Sequence, residues 1–350
     1  MTAPVPDDAD LVLHIGGPKT GSSAIQRHCR LHAAELRAAG LHYPPHPLDS
    51  NGVSGGHGET FALLTGGQPS SARRALACHL ADARRAGCRL VLSAEGVYPH
   101  ADDVVAALPT RSFHVVCFLR HPLDAIASHH NQGIKRHYGT ATLAQTVDEI
   151  VAGNIMTDAL AGRAALDWLR CCGRRRMTGL PYVERGEPVD AVARFRALLG
   201  LAGPGSTPRI NRGYTPAAAA FKRLVNALPE TLLAGLDEDL DRTLQAYSDA
   251  SSAPRPVAAD LLDAERHDAL ERHYRADVAA VEQAFGRVLE LRRRRSSSPP
   301  DAGDTLAGVW RHVCLDGGGL ADRVRAAVAA GGGCGVESLA ELAGIVATGR

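Results

Sequence analysis

Aromatic side chains are scarce in this chain: two Trp, six Phe and seven Tyr make up 4% of 350 residues. A binding pocket walled by rings, as an aromatic ligand would favour, is therefore a weak expectation. No segment supplies the run of about 18 apolar residues that a membrane-spanning helix requires. The first ten residues, MTAPVPDDAD, lack the basic start and apolar stretch of a secretory signal. The chain thus reads as soluble and cytoplasmic, with no membrane insertion. Charge of one sign is also missing: 39 basic and 38 acidic side chains give a net +1, so no global field announces nucleic acid as a partner. The eight cysteines contain no C-x-x-C pair and no regular spacing, which excludes a disulfide framework or structural zinc as the organising principle and leaves no metal site expected.

What is present is concentrated at two places. Residues 13–26, LHIGGPKTGSSAIQ, read as an apolar strand that enters a glycine turn and then an amphipathic helix. Backbone N–H groups at Gly16, Gly17 and Gly21, with the positive end of the helix dipole, make a cradle for a phosphate that Lys19, Ser22 and Ser23 can reach. The order of residues decides which phosphate compound. A nucleoside-triphosphate loop has its lysine after the second glycine of G-x-x-x-x-G-K-[ST], whereas here Lys19 precedes Gly21. The second place is FHVVCFL at 113–119, too apolar for a surface strand and ending in Arg120. Open α/β sheets bind ligands at the carboxyl ends of their strands, and a guanidinium fork there suits a terminal phosphate. Ser128 follows eight residues on, about two helical turns.

These two segments resemble the sulfotransferases that use 3′-phosphoadenosine 5′-phosphosulfate. The family's P-K-[TS]-G-[ST]-[ST] motif stands here as Pro18, Lys19, Thr20, Gly21, Ser22 and Ser23. Its strand-R-x-P motif with a later serine stands as Arg120, Pro122, Asp124 and Ser128. The flanks, including Ile25-Gln26, Gly40 to Pro44 and Ser93-Ala94-Glu95, are most similar to the bacterial, carbohydrate-type branch, and the wealth of Ala, Arg and Gly agrees with a GC-rich genome. The resemblance spans roughly residues 11–286. It implies a P-loop-like three-layer fold with a central parallel sheet, and a donor, 3′-phosphoadenosine 5′-phosphosulfate, held at its 5′ end by Pro18 to Ser23 and at its 3′-phosphate by Arg120 and Ser128. Arg212 matches the family's basic closing loop only loosely. Lys19 would stabilise the leaving phosphate, with no metal required. The acceptor implied is a small molecule or carbohydrate hydroxyl, and the oligomeric state stays open.

Two residues compete for the general base. His57 lies in the glycine-rich stretch 48–60, which reads as a loop, and an imidazole titrates in the useful range. Glu95 follows the strand at 89–93 and would face the same cleft. Two other readings remain: a P-loop kinase, and an inactive nucleotide-binding scaffold. Along the chain, strand signals at 11–15, 89–93, 113–119 and 179–183 alternate with helical patterns near 22–39, 71–87, 122–137, 158–170 and 188–199, which implies parallel pairing; Leu41 to Tyr43 reads as a short edge strand. The expected organisation is a disordered N-terminus at 1–10, a sulfotransferase domain at 11–291, a linker at 292–304 whose arginine run is a solvated helix end, and a helical appendage at 305–350.

Overall fold

The computed structural model describes residues 4–48, 54–155, 162–201, 213–251, 255–293, 304–316, 318–331 and 337–348. Its contacts divide the chain into two units. One comprises residues 1–125, 156–210 and 271–293; the other comprises 126–155, 211–270 and 294–350.

The first unit is built on five strands: β1 (Leu11–Gly16), β2 (Leu41–His42), β3 (Arg89–Ser93), β4 (Phe113–Leu119) and β5 (Met177–Pro181). They pair in the order β2-β3-β1-β4-β5, every pair parallel. Successive side chains of a strand point to opposite faces, and both faces here are covered. Leu11, Leu13 and Ile15 of β1, with Val115, Cys117 and Leu119 of β4, join Leu76, Leu80 and Trp168 in one apolar layer. Val12, Val116 and Phe118 join Ile25, Cys29, Leu36, Val192 and Phe195 in the other. Coverage on both sides explains why β1 and β4 read as continuous apolar runs rather than alternating ones. This is the α/β three-layer architecture expected from the sequence. Because β3 and β4 flank β1 on opposite sides, the chain changes direction at β1, and the carboxyl ends of these three strands meet at a topological switch point.

Three expectations need correction. The N-terminus is not outside the fold: Val5 and Ala9 are buried in the second apolar layer, and the Val5 N–H donates to the Leu198 carbonyl at 2.9 Å. An acidic composition hid two apolar residues at suitable spacing. The stretch 48–60 is not loop throughout, since a helix runs over Gly58–Thr65; residues 49–53 lie outside the described residues. The expected C-terminal helical tail is present, but it packs into the second unit instead of standing apart as an appendage. Its helices Leu306–Leu315, Leu320–Gly331 and Glu337–Thr348 share one core with Pro216–Val225 and Asp237–Ala250: Phe221, Leu224, Leu240 and Leu244 pack with Trp310, Val313, Val324 and Leu342. Among the described residues, no helix is long and apolar enough to cross a membrane.

The second unit also buries an ionic network. The Lys222 side chain, 1% exposed, pairs with Asp237 and, at 3.3 Å, with Asp241, whose carboxylate accepts a hydrogen bond from the Tyr214 hydroxyl at 2.7 Å. Such a pair gives little net stability when intact, yet removing one partner strands the other charges in a poorly solvated place. Lys222→Met is expected to destabilise this unit by about 3–5 kcal/mol, read as a lowered midpoint in chemical denaturation. An unchanged midpoint would show that water reaches the carboxylates.

Candidate functional site

The loop after β1 runs through backbone shapes that few side chains accept. Gly16 has φ +76° and Gly17 φ +136°, and a Cβ on Gly17 would stand 2.0 Å from the Phe118 carbonyl oxygen of β4. Gly21, at φ +87°, begins the helix Ser22–Leu31 without a side-chain cap. Lys19 itself sits at φ +60°, a left-handed conformation that costs about 1–2 kcal/mol for a residue with a Cβ. The Thr20 hydroxyl donates to the Gly17 carbonyl at 2.8 Å and closes the turn. Thr20 therefore contributes to the cradle through its backbone, with its hydroxyl committed to the loop. Pro18 and Ser23 are half-buried beside it.

An uncapped helix start leaves amide donors without side-chain acceptors. The Ser22 hydroxyl adds another, being buried with no hydrogen-bond partner in the protein. It lies against Glu95: a Cβ on Gly16 would meet Ser22 Oγ at 2.8 Å and Glu95 Cγ at 3.1 Å. The helix start therefore offers backbone amide donors, with the Glu95 carboxylate beside Ser22, and such amides suit an anion such as a phosphate.

Glu95 opens a short 3-10 turn, Glu95–Val97, directly after β3. Burial raises its carboxyl pKa, and the Lys19 charge, the nearby Ser22 hydroxyl and the Lys19 backbone pull it back. Lys19 is shifted the other way: burial lowers its pKa, the Glu95 charge counters this, and the Arg120 charge adds to it. The structure therefore brings Lys19, Ser22 and Glu95 together at the switch point, as their positions in the sequence suggested.

Arg120 reaches the same loop from β4. Its Nη1 donates to the Lys19 carbonyl, its Nε to Asp124 Oδ2 at 2.9 Å and its Nη2 to the Asp124 carbonyl at 2.8 Å. The guanidinium stands 5.1 Å from the Tyr182 ring centre. Of the five N–H groups of an arginine, three are held by protein groups among the described residues. The sequence pointed to Arg120 but did not show that Asp124 would clamp it. Ser128 is half-buried on the helix Pro122–Arg136, in the part assigned to the second unit. Arg212 lies outside the described residues.

His57 is placed differently from the expectation of a base. Its side chain is 3% exposed; Nδ1 accepts from the Ser93 N–H at 3.1 Å and Nε2 donates to the Pro44 carbonyl at 3.0 Å. The Ser93 carbonyl is also 3.3 Å from Nδ1; because the amide can only donate, its bond favours the neutral tautomer with the proton on Nε2. Burial is the main cause that lowers its pKa, to about 4. With both nitrogens committed to backbone, His57 is a staple between the chain near Pro44 and the end of β3. The 16 histidines of the chain made such a coincidence in the loop easy.

His14 is a second buried neutral histidine. Its Nδ1 is 2.8 Å from the Ser93 hydroxyl, and burial lowers its pKa to about 3.

No protein-family model matches this chain, and no curated protein matches it. Among solved structures, the chain is similar to the crystal structure of a sulfotransferase from Alicyclobacillus acidocaldarius, with 14% identity and a TM-score of 0.44, over 82% of this chain and 97% of that one. A likeness of this degree assigns neither family nor activity, so the functional reading rests on the site's own chemistry.

The buried histidines give a testable pH dependence. Their folded pKa values lie below the unfolded value of about 6.5, so the unfolded chain binds more protons as the pH falls below that value. Stability is full well above pH 6.5 and declines toward pH 4 for His57 and toward pH 3 for His14; for His57 the loss at pH 5 is about 2 kcal/mol. Denaturation midpoints measured at pH 7.5, 6 and 5 should fall in that order, and His57→Gln should flatten the decline. An equal decline in the variant would assign it to other groups.

Proposed function

We propose that this chain is a sulfotransferase that moves the sulfuryl group of 3′-phosphoadenosine 5′-phosphosulfate to an acceptor hydroxyl. The observation that carries this reading is the meeting of Lys19, Glu95 and Arg120 around one uncapped helix start. The cradle would take the 5′-phosphate side of the donor, through the amides after Gly21 and the Ser22 and Ser23 hydroxyls. Arg120 is suited to the 3′-phosphate, because a guanidinium keeps donors beyond those bonded to protein and its position is fixed by Asp124.

Transfer needs an acceptor oxygen in line with the breaking S–O bond, stabilisation of charge on the leaving phosphate, and removal of the acceptor proton. Lys19 supplies the second of these: a buried ammonium acts on growing negative charge more strongly than a solvated one. Glu95 supplies the third. Its raised pKa makes it a better proton acceptor than an ordinary carboxylate, while the Lys19 charge favours the ionised form that can take the proton. As the new O–S bond forms, the acceptor proton passes to Glu95 and the S–O bond electrons go to 3′-phosphoadenosine 5′-phosphate. The acceptor class proposed, a carbohydrate or glycosylated natural product, rests on the wording of the sequence around these motifs.

Calorimetric titration with 3′-phosphoadenosine 5′-phosphate, adenosine 5′-phosphate and ATP with magnesium tests the donor site. The expected result is tight binding that needs the 3′-phosphate and is lost in Arg120→Ala. Preference for ATP, or no nucleotide binding, would overturn the reading. Once an acceptor is found, Glu95→Gln should lower turnover by about 100- to 10,000-fold with donor affinity little changed. Undiminished turnover in that variant would remove Glu95 as the base.

A further inference from the structure

The arginine run at 292–295 was expected to be a solvated helix end, yet its first residue turns inward. After the helix Ala264–Phe285 the chain continues without regular structure through Gly286 to Arg293 and is tied down along its length. The Leu289 N–H donates to Glu282 at 2.8 Å, Glu290 accepts from the Gly186 N–H at 2.9 Å, and the Arg293 N–H donates to the Gly186 carbonyl at 2.9 Å. Leu289 is buried in the first apolar layer. This strap delivers Arg292, whose Nε donates to Asp124 Oδ1 at 2.8 Å. Asp124 is 1% exposed at its side chain, and its other oxygen holds Arg120.

One buried carboxylate therefore bridges two guanidinium groups, each on its own oxygen. From these contacts we infer that Arg292 is a positioning residue of the anion site, fixing through Asp124 the direction in which Arg120 presents its remaining donors. The inference rests on the donor reading above and extends it to a residue outside both motifs. Asp124 with one oxygen unpaired would be drawn to rotate toward another donor, since a buried carboxylate is costly unless both oxygens are satisfied. That rotation would move the Nε contact of Arg120. The effect belongs to whatever phosphate Arg120 binds, and the amides and Ser22 of the cradle should not register it.

The test compares 3′-phosphoadenosine 5′-phosphate with adenosine 5′-phosphate by calorimetry on the full chain, as wild type, Arg292→Leu and Arg292→Lys, with thermal unfolding followed in parallel. In the wild type the 3′-phosphate compound should bind more tightly. Arg292→Leu should cut that preference roughly tenfold, the order of loss seen when a group that orients a ligand-binding side chain is removed, with adenosine 5′-phosphate affinity unchanged. Arg292→Lys should restore part of it. A merely structural role would lower the unfolding temperature or weaken both ligands equally, and retention of the full preference in Arg292→Leu would overturn the inference while leaving the donor reading intact. A wild type without the preference would overturn both. Should Arg292→Leu fail to fold, Arg292→Gln, which keeps a donor for Asp124, gives the same comparison: a reduced preference is expected, and an undiminished one overturns the role.

Discussion

The candidate site depends on how closely the backbone after β1 approaches the end of β4. At Gly17 the separation is so small that a Cβ would stand 2.0 Å from the Phe118 carbonyl oxygen. No other residue fits there without moving one of the two central strands. The close approach places the Lys19 carbonyl within reach of Arg120, so the loop that would hold one end of an anionic ligand is bonded to the side chain that would hold the other. The left-handed backbone at Lys19 is tolerable for the same reason. Its cost of about 1–2 kcal/mol is offset where the Arg120 bond and the Thr20 hydroxyl hold the turn from both sides.

Charge at this edge is arranged in alternation. Lys19 acts on Glu95 and Arg120 acts on Lys19, while Asp124 lies between Arg120 and Arg292. Bringing three cations to one sheet edge would be prohibitive without the two carboxylates, because buried like charges repel strongly at low dielectric. The carboxylates have different environments. Asp124 is saturated by two guanidinium groups, whereas burial dominates at Glu95 and raises its pKa. That difference separates a carboxylate suited to holding other residues in place from one suited to moving a proton.

Much of the first unit was legible because its strands are buried on both faces. The largely apolar runs at 11–15 and 113–119 read as interior strands, and Gly16 and Arg120 stand at or just after their carboxyl ends. The edge strand at 41–42 was legible from its place after Gly40, which ends a helix at φ +76°. The interleaving of the two units was not. A linear reading treats residues 305–350 as something appended, but the apolar faces of helices at 216–225 and 237–250 are completed by Trp310, Val324 and Leu342, and such pairing between distant segments leaves no local signal. Nor were the helices Ala101–Ala107 and Leu143–Val151 read, each being too short for its period to stand out.

Within the site, placement was legible where a residue's neighbours in the chain fix its surroundings and was not where distant segments do. Lys19, Ser22 and Arg120 belong to short motifs whose geometry is largely local. Arg292 was misread because its partner, Asp124, stands 168 positions away, and nothing local sets one arginine in a run of four apart from the others. For His57 too the surroundings are set by distant segments: its place in the chain suggested a base, while the atoms bonded to its nitrogens belong to Pro44 and Ser93. The choice between His57 and Glu95 thus turns on which side chain keeps proton-accepting capacity after the backbone has been satisfied. A neutral imidazole bonded at both nitrogens has none to spare. The Glu95 carboxylate has two oxygens and several lone pairs, so it can respond to Lys19 and still accept a proton. The same backbone bonds that occupy His57 secure the end of β3, directly before Glu95.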